Sequence, residues 1–142
     1  MANDSLKDAF DQLNKAITHV SKETLEEVGQ FAITIITLRT KKGLDADREQ
    51  FKPYTKAYAR KRLSKGYSAS PPDLTIKGHM LGSMLPVVTG DNEVTVAFGS
   101  PKEDAKARGN SHKREFFDVR ADAELEAIAD LFGDKLVAEI VK

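Results

Sequence analysis

Apolar residues recur along this chain with two different periods, and the change from one to the other divides it into elements. Leu6, Phe10, Leu13, Ile17 and Val20 follow one another at helical spacing, which predicts a first helix with a single apolar face. Asn3, Asp4 or Ser5 can cap its start, and Asp4 and Asp8 suit the positive end of the helix dipole. Ser21 marks a second start, after which Leu25, Val28, Ala32, Ile35 and Ile36 continue a helical stripe; one long bent helix fits the pattern equally well. Arg39, Lys41 and Lys42 followed by Gly43 form a favourable carboxyl end. The β-branched run Ile33 to Thr37 also suits a buried strand, but its flanks favour helix.

Beyond Gly43 the period weakens. Leu44 to Glu49 reads as a polar, acidic linker, and a short helix is expected from about Pro53 to Ser64, with the proline in its first turn. Tyr54, Tyr58 and Leu63 give that helix a narrow apolar side opposite a cationic one. The stretch from Tyr67 to Pro72 is a breaker-rich loop. Gly78 and Gly82 flank Met80 and Leu81, which suggests a brief helical turn before a strand.

The period then drops to two. Val94, Val96 and Phe98 alternate with Glu93, Thr95 and Ala97, and Leu85 to Val88 should pair with them across a turn at Thr89 to Asn92. Gly99 to His112 reads as a polar, charged loop with one helical turn at Glu103 to Ala107, a candidate docking arm that glycines leave free to swing. Phe116, Phe117 and Val119 suggest a third short strand. A final helix carries the stripe Leu125, Ile128, Phe132, Leu136 and Ile140. Helices at both ends with strands between them give an α+β fold, with N-terminal helices and a C-terminal helix packed on a small antiparallel sheet.

Composition narrows this reading. With 142 residues and 40% hydrophobic content, the chain can bury one core, so residues 1–142 are expected to form a single domain. The absence of cysteine removes disulfides and thiolate chemistry and fits a reducing cytoplasm. The longest apolar run, Phe31 to Leu38, falls far short of the roughly 20 residues of a membrane span, and the amino terminus lacks the pattern of a signal peptide. No membrane association is expected. The net charge is zero, from 22 basic and 22 acidic residues. Their distribution is uneven: residues 1–38 hold 3 basic and 6 acidic side chains, residues 39–65 hold 10 and 3, and residues 66–142 hold 9 and 13.

The chemistry is notable for what is missing. His19, His79 and His112 have no spacing that would aim two ligands at one metal, and surface or half-buried histidine explains them better. Asp45, Asp47 and Glu49 alternate as a calcium loop begins, but Gln50 and Lys56 stand where such a loop needs glycine and glutamate. No nucleophile elbow, phosphate-cradling loop or dinucleotide fingerprint occurs. The expectation is a protein that is not an enzyme, with no catalytic, metal or cofactor-binding residues and no cofactor.

Two groups of short motifs carry a resemblance. The first comprises Gly43, Phe51, Pro53, Tyr54 and Tyr58, then a basic run, then Asp73, Leu74, Thr75, Lys77, Gly78, Met80, Leu81 and Ser83; the second comprises Ala107, Gly109, Arg114, Glu115, Phe116 and Phe117. Together they resemble the virion-morphogenesis proteins of long-tailed bacteriophages, small neck or tail-completion proteins at the junction of head and tail. The chain departs from the pattern at Arg48, Glu49 and Gln50, where many relatives show a glycine, and at Lys77, which replaces a threonine before Gly78.

The resemblance implies a non-enzymatic structural virion protein, made in the host cytoplasm and built into the neck or tail. It would act in tail completion and head–tail joining as a ring-forming subunit, its partners being further copies of itself and adjacent neck or tail proteins. A hexamer is one option for the ring, whose subunit number the sequence leaves open; DNA at most passes through the assembly. The candidate partner-binding residues are Lys56, Arg60, Lys61, Arg62, Lys65, Lys102, Lys106, Arg108 and Arg114. The basic face from Arg60 to Lys65 is expected to dock on the acidic C-terminal helix or on an acidic neighbour, so that reversing charge at Arg60 and Arg62 abolishes assembly. The alternative is a small nucleic-acid-binding protein using the basic helix 54–65, in which cations neutralise phosphates and tyrosines stack on bases. The neutral balance and the spacing of the tyrosines, which suits core anchors, both weigh against it.

Overall fold

The computed structural model describes residues 2–74 and 78–141, with backbone alone for residues 2–5, 13 and 16–18. The elements are α1 (Ala2–Thr18), α2 (Lys22–Lys41), α3 (Lys56–Ser64), α4 (His79–Gly82), β1 (Met84–Gly90), β2 (Glu93–Phe98), α5 (Pro101–Lys113) and α6 (Asp122–Ile140). The fold is α+β, with helices packed on a small antiparallel sheet of two strands among the described residues. No described helix is long and apolar enough to cross a membrane.

The central element is α2. It is a separate helix rather than the continuation of α1, because Ser21 adopts an extended conformation and its side chain accepts the N–H of Thr24. Its buried apolar line runs through Leu25, Ile33 and Ile36, with Gly29 between them; Val28, Ala32 and Ile35 of the expected stripe sit half-buried at its border. One side of α2 covers the sheet and another meets α6, and α1 in turn lies against α6. Ile33 and Ile36 join Phe51, Met80, Leu81, Met84, Ala107 and Phe116 in the main core. Leu25 joins Val20 and Leu136 in a second cluster toward the other end.

Between the two clusters, α2 touches the sheet through Gly29. A Cβ built there would lie 2.7 Å from Pro86 Cβ and 2.9 Å from Val94 Cγ2. Helix propensity alone favours alanine by about 1 kcal/mol, whereas overpacking against a rigid proline ring costs about 1–3 kcal/mol. Gly29→Ala is therefore expected to lower stability, by about 1 kcal/mol net, as a drop in the urea midpoint. An unchanged or raised midpoint would show that the sheet slides away freely.

The β1–β2 hairpin has the expected strands, with Met84 paired to Phe98 and Val88 to Val94. Three other expectations are corrected. Residues 99–112 are not a swinging loop: the Ser100 side chain accepts the N–H of Glu103, Pro101 occupies the first turn, and α5 buries Glu103 and Ala107 against the rest of the fold. Phe116 to Val119 forms no strand, because the carbonyls of Phe116 and Asp118 face the guanidinium of Arg39 rather than a ladder. The short basic helix starts at Lys56, with Thr55 capping it, and Pro53 stays outside because Arg114 holds the carbonyls of Lys52 and Pro53 in an extended segment.

The segment after α2 is also more built than a linker. Leu44 bridges to Gln50, the Asp45 carboxylate accepts the N–H groups of Asp47 and Glu49, and Ala46 is fully buried. Gly43, at φ +77°, turns the chain out of α2 where a side chain would strike Pro71 at 2.5 Å. In α1, Leu6 and Phe10 are 59% and 57% exposed, so much of the expected core face is open to solvent. The helix begins at Ala2, ahead of the expected capping residues, whose side chains lie outside the described ones, as do those of Leu13 and Ile17. Thr75 and Lys77 of the first motif group also fall outside the described residues. In α6, Leu136 is buried and Phe132 half-buried as expected, whereas Leu125 is exposed and its neighbour Glu124 is buried.

Candidate functional site

The nine candidate cations do not form one surface. Lys56, Arg60, Lys61 and Lys65 stand exposed on α3 and just after it. Lys106 pairs with Glu103 at 3.1 Å and Arg108 with Asp104 at 2.9 Å along α5, while Lys102 is exposed at the start of that helix. Arg62 and Arg114 point inward.

Arg62 is only 3% exposed and closes the lobe from Tyr54 to Asp73. Its Nε donates to the Ser68 carbonyl at 2.6 Å and a terminal nitrogen reaches Asp73 Oδ1 at 3.3 Å. The guanidinium carbon lies 4.9 Å from the Tyr54 ring centre and 5.9 Å from those of Tyr58 and Tyr67. Arg114 approaches Tyr54 as well, at 4.7 Å, while its nitrogens donate to the carbonyls of Lys52 and Pro53. Tyr54 thus touches two guanidinium groups, and burial raises the pKa of its hydroxyl despite them. The three tyrosines are engaged by the protein's own arginine, which leaves α3 with an exposed surface of Lys56, Tyr58, Arg60, Lys61, Leu63 and Lys65.

A second set of charges holds the core together. Arg39 and Glu124 are 3% and 5% exposed, and Arg39 Nη1 donates to Glu124 Oε1 at 2.6 Å. The other Arg39 terminal nitrogen reaches the carbonyls of Phe116 and Asp118, both at 2.6 Å, and Arg48 contacts Glu124 Oε2 at 3.0 Å. This group ties the end of α2, the 44–50 loop, the 115–119 segment and the start of α6 into one junction. On the surface beside it, Arg120 grips both Asp47 oxygens at 2.8 Å and also contacts Glu115 and Asp118.

Hydrogen bonding from Arg120 lowers the Asp47 pKa below its ordinary 3.8. The sign follows directly: a depressed carboxylate contributes stability that is present above its unfolded value and is lost as pH falls through the folded one. The melting-temperature gap between the native chain and Asp47→Asn is therefore expected to be open at neutral pH and to close below about pH 3.8. A gap that persists in acid would assign the effect to packing.

An open polar depression of about 390 Å³ lies between the 45–52 loop and the end of α5, lined by Asp45, Asp47, His112, Arg114 and Arg120 among others, and its arginines are already engaged. A shallower depression of about 370 Å³ is lined by Glu23, Glu26, Glu27 and Gln30 of α2 and Pro86 of β1. Among the described residues no three histidine or carboxylate side chains converge as metal ligands would. His19, His79 and His112 are exposed and far apart in sequence.

Sequence reasoning placed the cations of α3 where they are, but it missed that Arg39, Arg62 and Glu124 are internal. Nothing in residue type distinguishes a buried arginine from a surface one; the tyrosines on both sides of Arg62 were the available signal. Comparison with known protein families, with curated proteins and with solved structures found no match to this chain.

Proposed function

We propose that this chain is a non-enzymatic structural protein of a phage neck, acting in tail completion and head–tail joining as a subunit of a ring. The observation that carries the proposal is how the two motif groups lie relative to each other. Phe51, Met80 and Leu81 from the first group and Ala107 and Phe116 from the second meet in the main core. Arg114 of the second group holds Lys52, Pro53 and Tyr54 of the first. Apolar residues meet in the core of any fold, so the more specific support is the polar contact of Arg114 with the Lys52–Tyr54 segment. The motif residues serve as framework, and the surface left for partners is the exposed side of α3.

The site chemistry agrees with an assembly role. Buried Arg39, Arg62 and Glu124 join segments to one another, and α3 carries the exposed cations Lys56, Arg60 and Lys61. The virion location and the identity of the neighbouring proteins belong to the same proposal. Electron microscopy of lysates from the phage carrying this gene, with and without it, is the test. Filled heads beside separate tails are expected on deletion; normal infectious particles would end this reading.

One observation favours a second reading, in which the chain binds nucleic acid: α3 presents Lys56, Arg60, Lys61 and Lys65 together. Against it, the tyrosines that would stack on bases are held by Arg62. Binding to a DNA fragment that falls steeply with salt would revive it.

A further inference from the structure

We infer that copies of this chain join head to tail, the cationic face of α3 in one copy lying against the shallow acidic surface at the α2–β1 end of the next. The inference deepens the ring-forming proposal and rests on it for the closure of the assembly. The interface itself is argued from charge and geometry within one chain.

The helix α3 shares no substantial packing with any other helix or strand. Arg62 anchors it to Ser68 and Asp73, which leaves the opposite side exposed. That surface combines the cations Lys56 and Arg60 with Leu63, which is 62% exposed and lies on the same side of the helix. An exposed leucine among cations suits an acidic protein surface with an apolar floor better than it suits a phosphate backbone.

Such a surface exists on the same chain. The shallow depression between α2 and β1 is lined by Glu23, Glu26, Glu27, Gln30 and Pro86. The cations facing it are Lys22, which approaches Glu26 at 3.7 Å, and Lys135, which pairs with Glu27. Glu139 lies nearby and accepts the Thr24 hydroxyl, adding to the negative charge. The carboxylates therefore outnumber the cations at this end.

Distance prevents the two patches from meeting within one copy. The α3 lobe abuts the far end of α2, where Gly43 meets Pro71 and Pro72. Sixteen helical residues separate Leu25, among the glutamates, from Lys41, a span of about 24 Å. Charges that far apart are screened from each other at about 0.1 M salt, where the Debye length is about 10 Å. A chain of zero net charge with opposite patches on different elements neutralises both by stacking head to tail. That contact uses different patches on the two copies, which is the geometry that generates rings.

Sedimentation velocity of the purified full chain with two reversed variants tests this. One carries Lys56→Glu with Arg60→Glu, a pair one helical turn apart; the other carries Glu23→Lys with Glu26→Lys and leaves Glu27 to hold Lys135. The native chain is expected to associate at low salt and to disperse at about 1 M, where the screening length falls to about 3 Å. Each variant alone should lose association, and an equimolar mixture should regain it, since every contact between unlike variants is complementary. A native chain that stays monomeric, a variant that associates alone, or a mixture that stays monomeric while both variants keep the native melting temperature would overturn the inference. If a reversed variant fails to fold, the glutamine versions at the same positions replace it: loss of association supports the contact, and retained association overturns it. The assay needs no phage, so a failed mixture with defective particle joining on deletion would remove this interface and leave the neck proposal standing.

Discussion

Replacing Arg39 by methionine is expected to lower the stability of the chain by about 3–5 kcal/mol, the cost of removing one partner from a buried ion pair. The size follows from what the guanidinium leaves behind. Glu124 would keep only the half-exposed Arg48, and the buried carbonyl of Phe116 and the half-buried one of Asp118 would lose their donor. Glu124→Gln attacks the same junction from the other side and is expected to cost a similar amount, because Arg39 would then be charged, buried and opposed by a neutral amide. The double change Arg39→Met with Glu124→Leu should recover part of the loss, since apolar replacement of a buried pair is often close to neutral. It should not recover all of it, as the two carbonyls remain without a donor. Urea unfolding of the four proteins measures each term. A loss below about 1 kcal/mol for either single variant would mean that water reaches the pair.

Replacing Arg62 by alanine is expected to open the Tyr54–Asp73 lobe while the remainder stays folded. The side chain holds the Ser68 carbonyl, reaches Asp73 and contacts three tyrosine rings, and α3 has no substantial packing on another element to fall back on. Loss of a buried, hydrogen-bonded charge with its ring contacts corresponds to about 3 kcal/mol of local stability. Amide exchange should speed up about 100-fold within residues 54–73, and Arg62→Lys should not restore protection, because an ammonium lacks the planar fork. Exchange that rises equally across α2 and α6 would show that the lobe and the core unfold together. Charge reversal at Arg62 is for the same reason a poor probe of docking: it removes the support under α3 rather than a contact on its surface. Arg60, which is exposed, remains a suitable probe.

The elements that were legible in the sequence are those in which apolar periodicity and local capping agree. Ser21 followed by a helical stripe specified α2, and the strict alternation from Glu93 to Phe98 specified β2 and its partner. The failures have physical causes of the same local kind. In α5 the only apolar side chains are alanines and a proline, so there is almost no periodic signal; Ser100, Pro101 and Glu103 spelled a helix start, but the charged stretch around them masked it. Phe116 and Phe117 have strand-like composition, yet their backbone is diverted by Arg39, a residue 77 positions away from Phe116. The candidate surface shows the same division. Lys56, Arg60, Lys61 and Lys65 were identifiable as a cluster of cations from the basic run, whereas the inward turn of Arg62 depended on Ser68, Asp73 and three rings.

Sequence alone determined the α+β class, the hairpin, the helices at both ends and the basic block, because periodicity, turn chemistry and net charge are properties of neighbouring residues. Tertiary structure alone decided which charges are internal, and that α3 projects while α5 is packed. Those outcomes depend on which distant groups meet, and a buried arginine is stable only where carbonyls and a carboxylate from other segments converge on it.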